Sequence, residues 1–183
     1  SEFKTGLKVE IDATPYLIVN NQFVKPGKGQ AFVRTKLKHL LTGKVIERTF
    51  KSGEKIDLAD VHETDMRLLY IDTEGVVFMD DSSFEQITVP NNSVEGVKQW
   101  LMDDHIYHII FYKGAPVIVE PPTFMEMKIT ETDPGLRGDS SGRVLKSAIT
   151  ESGAKIQVPI FIEQDEIVKI DTRTGEYVSR VSK

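Results

Sequence analysis

Phe32-Val33-Arg34-Thr35-Lys36-Leu37-Lys38 alternates cations with apolar or small residues. A period of two is the signature of a strand with two unlike faces, and it places Arg34, Lys36 and Lys38 on one of them. The residues just upstream are Lys25-Pro26-Gly27-Lys28-Gly29-Gln30. Pro26 presets φ for a turn, and Gly27 and Gly29 are free to take positive φ, so a tight tip is expected with Lys28 projecting from it. Tyr16 to Val24 is an extended run into this tip, and Val45 to Lys51 returns after a Thr42-Gly43 turn. Leu7, Val9 and Ile11 alternate with Lys8 and Glu10. Short strands and regular turns over residues 1–59 predict a small SH3-like barrel.

The 183-residue chain carries formal net charge −5, but the charge is unevenly placed. Residues 1–59 hold 11 Lys+Arg against 6 Asp+Glu, residues 60–127 hold 3 against 13, and residues 128–183 hold 9 of each. Such asymmetry suggests separate modules, with the basic one facing a polyanion. Lys25, Lys28, Lys44, Arg48 and Lys51 lie near the cationic strand in sequence, which favours phosphate contact. Aromatic interleaving is thin, with Phe32 and Phe50 expected in the core, so backbone contact is favoured over base readout. With no cysteine there is no disulfide framework or thiolate metal site, which fits a reducing cytoplasm. No apolar run reaches membrane-spanning length, no signal-peptide pattern opens the chain, and no membrane partner is expected. The sequence opens on Ser1 and not Met, so a few preceding residues are expected.

In residues 60–127, Leu68 to Ile71 and Val76 to Met79 read as a hairpin around Asp72-Thr73-Glu74-Gly75, and Phe84 to Val89 continues the strands. Asn92-Ser93 is expected to cap a short helix with Val94, Val97 and Leu101 on one face and Trp100 beside them. Tyr107 to Tyr112 and Val117 to Val119 flank a Lys113-Gly114 turn. Strands with one short helix match an OB-fold count. In residues 128–183, Met127 to Thr130, Ala148 to Thr150, Ile156 to Ile162, Ile167 to Ile170 and Tyr177 to Val181 read as strands of a second OB-like barrel.

Gly138-Asp139-Ser140-Ser141-Gly142 fits the G-x-S-x-G pattern of a hydrolase nucleophile. An elbow needs a preceding strand and a later histidine. Here a Pro-Gly loop precedes it and the last histidine is His108. A His62, Asp103, Ser140 triad would draw on three modules, so a polar loop is the better reading. His105 and His108 lack the carboxylate of a zinc motif, and Asp80-Asp81 and Asp103-Asp104 are adjacent pairs whose side chains point apart. No active site, metal or cofactor is expected.

Four stretches carry a resemblance that spans essentially the whole chain: Phe23 to Phe32, Thr49-Phe50-Lys51-Ser52-Gly53, Thr132 to Asp139, and Gly175-Glu176-Tyr177-Val178-Ser179-Arg180. With Lys146-Ser147-Ala148, Gly153 and Val158-Pro159, they resemble bacterial elongation factor P, a distant relative of the hypusine-bearing initiation factor. The resemblance implies an all-β chain of an SH3-like (KOW-type) domain and two OB-folds, arranged as an L. It implies a cytoplasmic, monomeric, non-enzymatic factor that binds the ribosome between the P and E sites, contacts peptidyl-tRNA and relieves stalling at consecutive prolines. Lys28 would be the tip residue that a lysine-modifying enzyme extends, commonly by β-lysylation, held by Pro26, Gly27 and Gly29. Lys25, Arg34, Lys36 and Lys38 would lie along tRNA, and Gly138, Asp139 and Ser140 on a loop approaching the exit-site codon of the mRNA. Tyr177 and Arg180 match a C-terminal pair implicated in activity. Ser140 stands where threonine is usual, and Asp165 replaces a glycine, which bears on the geometry of that turn. The alternative is a factor-P-like paralogue, or another RNA- or ribosome-binding β module, without a modified tip.

Overall fold

A computed structural model describes residues 3–134 and 144–181 and is almost entirely β. The first sheet contains β1 (Lys8–Ile11), β2 (Thr14–Val24), β3 (Phe32–His39), β4 (Val45–Lys51) and β5 (Asp57–Leu58), in the order β4-β3-β2-β1-β5. The second holds β6 (Val61–Ile71), β7 (Gly75–Met79), β8 (Gln86–Pro90), β9 (Ile106–Tyr112) and β10 (Ala115–Glu120), in the order β10-β9-β6-β7-β8. The third comprises β11 (Phe124–Thr132), β12 (Leu145–Thr150), β13 (Lys155–Pro159), β14 (Ile167–Asp171) and β15 (Glu176–Arg180), in the order β13-β12-β11-β14-β15. β11 runs through residues 127 and 128, where a module junction was expected. By contacts the chain forms two compact units, Ser1–Glu63 with Ile110–Ile118, and Thr64–Ile109 with Val119–Lys183.

Residues are buried alternately along β3 and β11 and continuously along β7. In the first unit Val9, Ile18, Leu37 and Phe50 form the core, and Phe3 lies over Phe50 with ring centroids 4.9 Å apart. In the second unit Leu68, Phe78, Val89 and Tyr107 fill the second sheet's core; Met127, Ile129, Val158 and Ile170 fill the third's. The buried Tyr107 hydroxyl donates to the Trp100 carbonyl at 2.6 Å and accepts from the Met102 amide at 2.8 Å. Burial pushes its pKa up to about 12, so it stays a neutral phenol that holds the helical turn to the sheet.

Some local expectations are corrected. The helix is one α turn (Asn91–Val94) running into a 3-10 segment (Glu95–Trp100), with Pro90 at its N-cap and no side-chain cap. Asn92 and Ser93 are not caps; Asn91 instead donates its amide to the Thr73 carbonyl. Val94, Trp100 and Leu101 are buried, but Leu101 follows the 3-10 segment in extended conformation and so is not on a helical face. Phe84 is no strand residue: it sits at φ 60, 71% exposed, in the turn before β8. β6 begins at Val61, well before Leu68, because its first half is polar and exposed and shows no apolar run. β13 stops at Pro159, and the Ile162 amide turns back to the Pro159 carbonyl.

Asp165 occupies a left-handed position, φ 70, in the turn before β14. Asp tolerates this region better than most L-residues but still bears part of the Cβ strain that glycine lacks. Its carboxylate stands 4.0 Å from Lys128 Nζ, an exposed pair of little worth. Asp165→Gly is expected to raise stability by about 0.5 kcal/mol, strain relief outweighing the added chain entropy, and Asp165→Val to lower it by about 1–2 kcal/mol. Urea unfolding followed by Trp100 fluorescence checks both signs.

Candidate nucleic-acid interface

β2 and β3 remain paired up to Val24 and Phe32, and residues 25–31 form the loop beyond them. Lys25, Gly27, Lys28 and Gly29 are exposed and Pro26 is half-buried. Gly29 takes φ 113, a value that requires glycine, whereas Gly27 needs no positive φ. A Cβ at Gly27 would meet no heavy atom within 4 Å, and one at Gly29 would meet only Pro26 Cγ, at 3.8 Å. Lys28 is exposed between two glycines that carry no side chain of their own.

The cross-strand register builds a face below the tip. Gln22 on β2, Arg34 on β3 and Thr49 on β4 form one row; Asn20, Lys36 and Glu47 form the next. Lys38 and Lys51 belong to the same face, opposite Val45 and Phe32 respectively. Arg34, Lys36 and Lys38 are exposed, while the intervening Thr35 and Leu37 are buried, as the alternation requires. Arg34 lies 5.9 Å from the Phe32 ring centroid and its Nε 3.6 Å from Glu47 Oε1. Asn20, Gln22, Arg34, Lys36 and Glu47 line a shallow depression.

Arg48 does not belong to this face. It pairs with Thr35 on the core side, covers the Phe50 ring at 5.7 Å and reaches Asp12 at 3.7 Å. Lys44 lies in the turn between β3 and β4. The sequence reading also missed four polar members of the face, Asn20, Gln22, Glu47 and Thr49. A β-bulge between Ile18 and Asn20 explains the first two. Ile18 is in the core, so strict alternation would bury Asn20 and Gln22; the one-residue slip turns them to the cationic side.

A second bulge acts on the C-terminal pair. Tyr177 pairs with Ile170 and Arg180 with Val168, two residues that share a face of β14, although Tyr177 and Arg180 are three apart. Arg180 hydrogen-bonds Glu166 through Nε at 3.0 Å and also through Nη2, and lies 5.6 Å from the Phe161 ring. Burial raises the Glu166 pKa, but the Glu163 amide and Arg180 outweigh it and leave it lowered. Burial chiefly raises the Tyr177 pKa. Gly138, Asp139 and Ser140 lie outside the described residues.

His108 Nδ1 is 2.8 Å from Asp65, and Asp80 accepts amides of its own turn while Asp81 binds Arg67 at 2.9 Å. Among the described residues no three His, Cys, Asp or Glu gather as a metal site, and no helix is long and apolar enough to cross a membrane.

Residues 1–56 match the sequence model described as "Elongation factor P (EF-P) KOW-like domain", residues 61–119 the "Elongation factor P (EF-P) OB domain", and residues 125–180 "Elongation factor P, C-terminal". A protein named "Elongation factor P 2" from Protochlamydia amoebophila (strain UWE25) is 67% identical over 183 residues, covering 100% of this chain and 96% of that protein. Its namesake from Chlamydia caviae is 62% identical over 184 residues, covering 100% and 97%. Among solved structures, a "Translation initiation factor eif-5a family protein" from Naegleria fowleri superposes with TM-score 0.50 at 19% identity, over 65% of this chain and 93% of its own, a likeness of fold.

Proposed function

The chain belongs to the elongation factor P family and is a translation factor that acts on the ribosome, not an enzyme; from that premise we propose that it binds between the P and E sites and relieves stalling at consecutive prolines through Lys28. The observation that carries this reading is the open loop 25–31, which presents Lys28 at the end of a cationic strand. Lys25, Arg34, Lys36 and Lys38 hold the backbone of peptidyl-tRNA, and Lys28, extended by a lysine-modifying enzyme, reaches toward its reacting end. The three sheets act as three modules, the third starting with β11 and using Gly138, Asp139 and Ser140 toward the exit-site codon and Tyr177 with Arg180 as support. The site of action is cytoplasmic.

Proline is a poor nucleophile in peptide transfer, and a slack peptidyl-tRNA adds an orientation cost. A cationic probe that fixes the tRNA end lowers that cost without bond chemistry of its own. Orientation of this kind is worth up to about 7–11 kcal/mol in favourable cases, so recovering a fraction suffices. A lysine extension lengthens the reach and keeps a flexible charged end.

Binding to ribosomes carrying peptidyl-tRNA is expected to depend steeply on salt. Lys25, Arg34, Lys36, Lys38 and Lys51 give about five phosphate contacts and a log–log slope of about −3.5 to −4.5. Co-sedimentation across a salt series measures it, and a flat response would contradict tRNA contact by this face.

A further inference from the structure

Phosphate contact leaves one group on the cationic face unexplained. Glu47 stands opposite Lys36 on β4 with its side chain 51% exposed, where a carboxylate repels phosphate oxygens. Its distance of 3.6 Å to Arg34 Nε is too long for a hydrogen bond, so the carboxylate retains lone pairs for another donor. It shares the depression with Asn20, Gln22, Arg34 and Lys36. Each carboxamide offers two donors and an acceptor, and each cation offers donors only. A purely phosphate-binding cradle needs neither the amides nor the carboxylate. Base edges use all of these groups.

We propose that this depression reads the edge of one unpaired guanine in RNA, with Glu47 accepting from its N1–H and N2–H and Arg34 and Lys36 holding the neighbouring phosphates. Guanine sets two adjacent donors against the two oxygens of a carboxylate. Adenine and cytosine offer one exocyclic amine each, and the N3–H of uracil is flanked by carbonyls that Glu47 repels. Asn20 and Gln22 supply donors toward the guanine O6 side. The proposal rests on the RNA-binding reading above and adds base selectivity to it.

The test uses the full chain and fluorescently labelled uridine octamers, unmodified or with one central guanosine or inosine, at low salt. Inosine lacks the N2 amine. The guanosine octamer is expected to bind about fivefold or more tightly than the uridine octamer, with inosine between them. Glu47→Gln removes one negative charge from an exposed strand position and leaves the side chain's shape. It should raise affinity for the uridine octamer while erasing the guanosine preference. The double change Arg34→Ala with Lys36→Ala should weaken all three octamers alike. Equal binding of the octamers by the unaltered chain, or a Glu47→Gln gain of the same factor for each, would overturn the proposal and leave the phosphate reading standing. Failure of every octamer to bind at low salt would overturn both.

Discussion

Gly75→Ala is expected to destabilise the second unit by about 2–3 kcal/mol and lower its unfolding midpoint by about 5–10 °C. Gly75 opens β7 and pairs with Pro90 at the end of β8. A Cβ there would lie 2.2 Å from the Val89 carbonyl oxygen, 3.0 Å from its carbon and 3.2 Å from Pro90 Cα. All three are backbone atoms, so no rotamer change relieves the clash and the β7–β8 pairing itself must shift. The Gly75 amide also accepts no rearrangement cheaply, because it donates to Asp72 Oδ1 at 3.0 Å in the preceding turn. Gly96→Ala is the control: its Cβ would meet nothing within 4 Å, so near-neutral behaviour is expected. Trp100 is the one tryptophan in the chain and is 2% exposed in the same unit, so its fluorescence reports the transition directly. Equal midpoints for the two variants would contradict the close approach of β7 and β8.

Lys28→Ala is expected to abolish relief of stalling at consecutive prolines while changing ribosome affinity by less than about fivefold. The separation follows from where the charges sit. Arg34, Lys36, Lys38 and Lys51 lie on paired strands and remain when the loop is trimmed at its tip. Loss of Lys28 removes one phosphate-range cation among several but the whole of the projecting group. Lys28→Arg keeps the charge and should still fail, because guanidinium offers no ε-amine to extend and cannot reproduce the reach of a lengthened lysine. Pelleting assays on the variants, run beside stall relief, distinguish this from a general loss of binding.

The order of strands around the tip was legible because β2, β3 and β4 carry their alternation openly and are bounded by Pro, Gly and Thr-Gly turns. The cationic stripe of β3 follows from the same alternation. Composition of the rest of the face was not legible. A single inserted residue at Val19 inverts the parity of β2, and nothing in Leu17-Ile18-Val19-Asn20 marks the slip. Val178 does the same on β15, bringing Tyr177 and Arg180 to one side of β14 against their odd spacing. Arg48, near the cationic strand in sequence, lies on the other face because its parity on β4 is opposite to that of Glu47, Thr49 and Lys51. The short helix is where the sequence placed it, but its type and cap were not legible: its apolar spacing suits α and 3-10 turns alike over so few residues, and Pro90 starts it without a capping side chain. Asp165 stands where the resemblance expects glycine, which left the geometry of the turn open, and the backbone there is left-handed.

The most direct measurement is the rate of peptide-bond formation in reconstituted translation of a reporter carrying three consecutive prolines, with protein purified from its native host beside its Lys28→Ala variant. The intact protein should speed the proline steps and leave other steps unchanged, and the variant should match a reaction without factor. Equal rescue by both, or no rescue by either while both still bind ribosomes, would contradict Lys28 as the working tip.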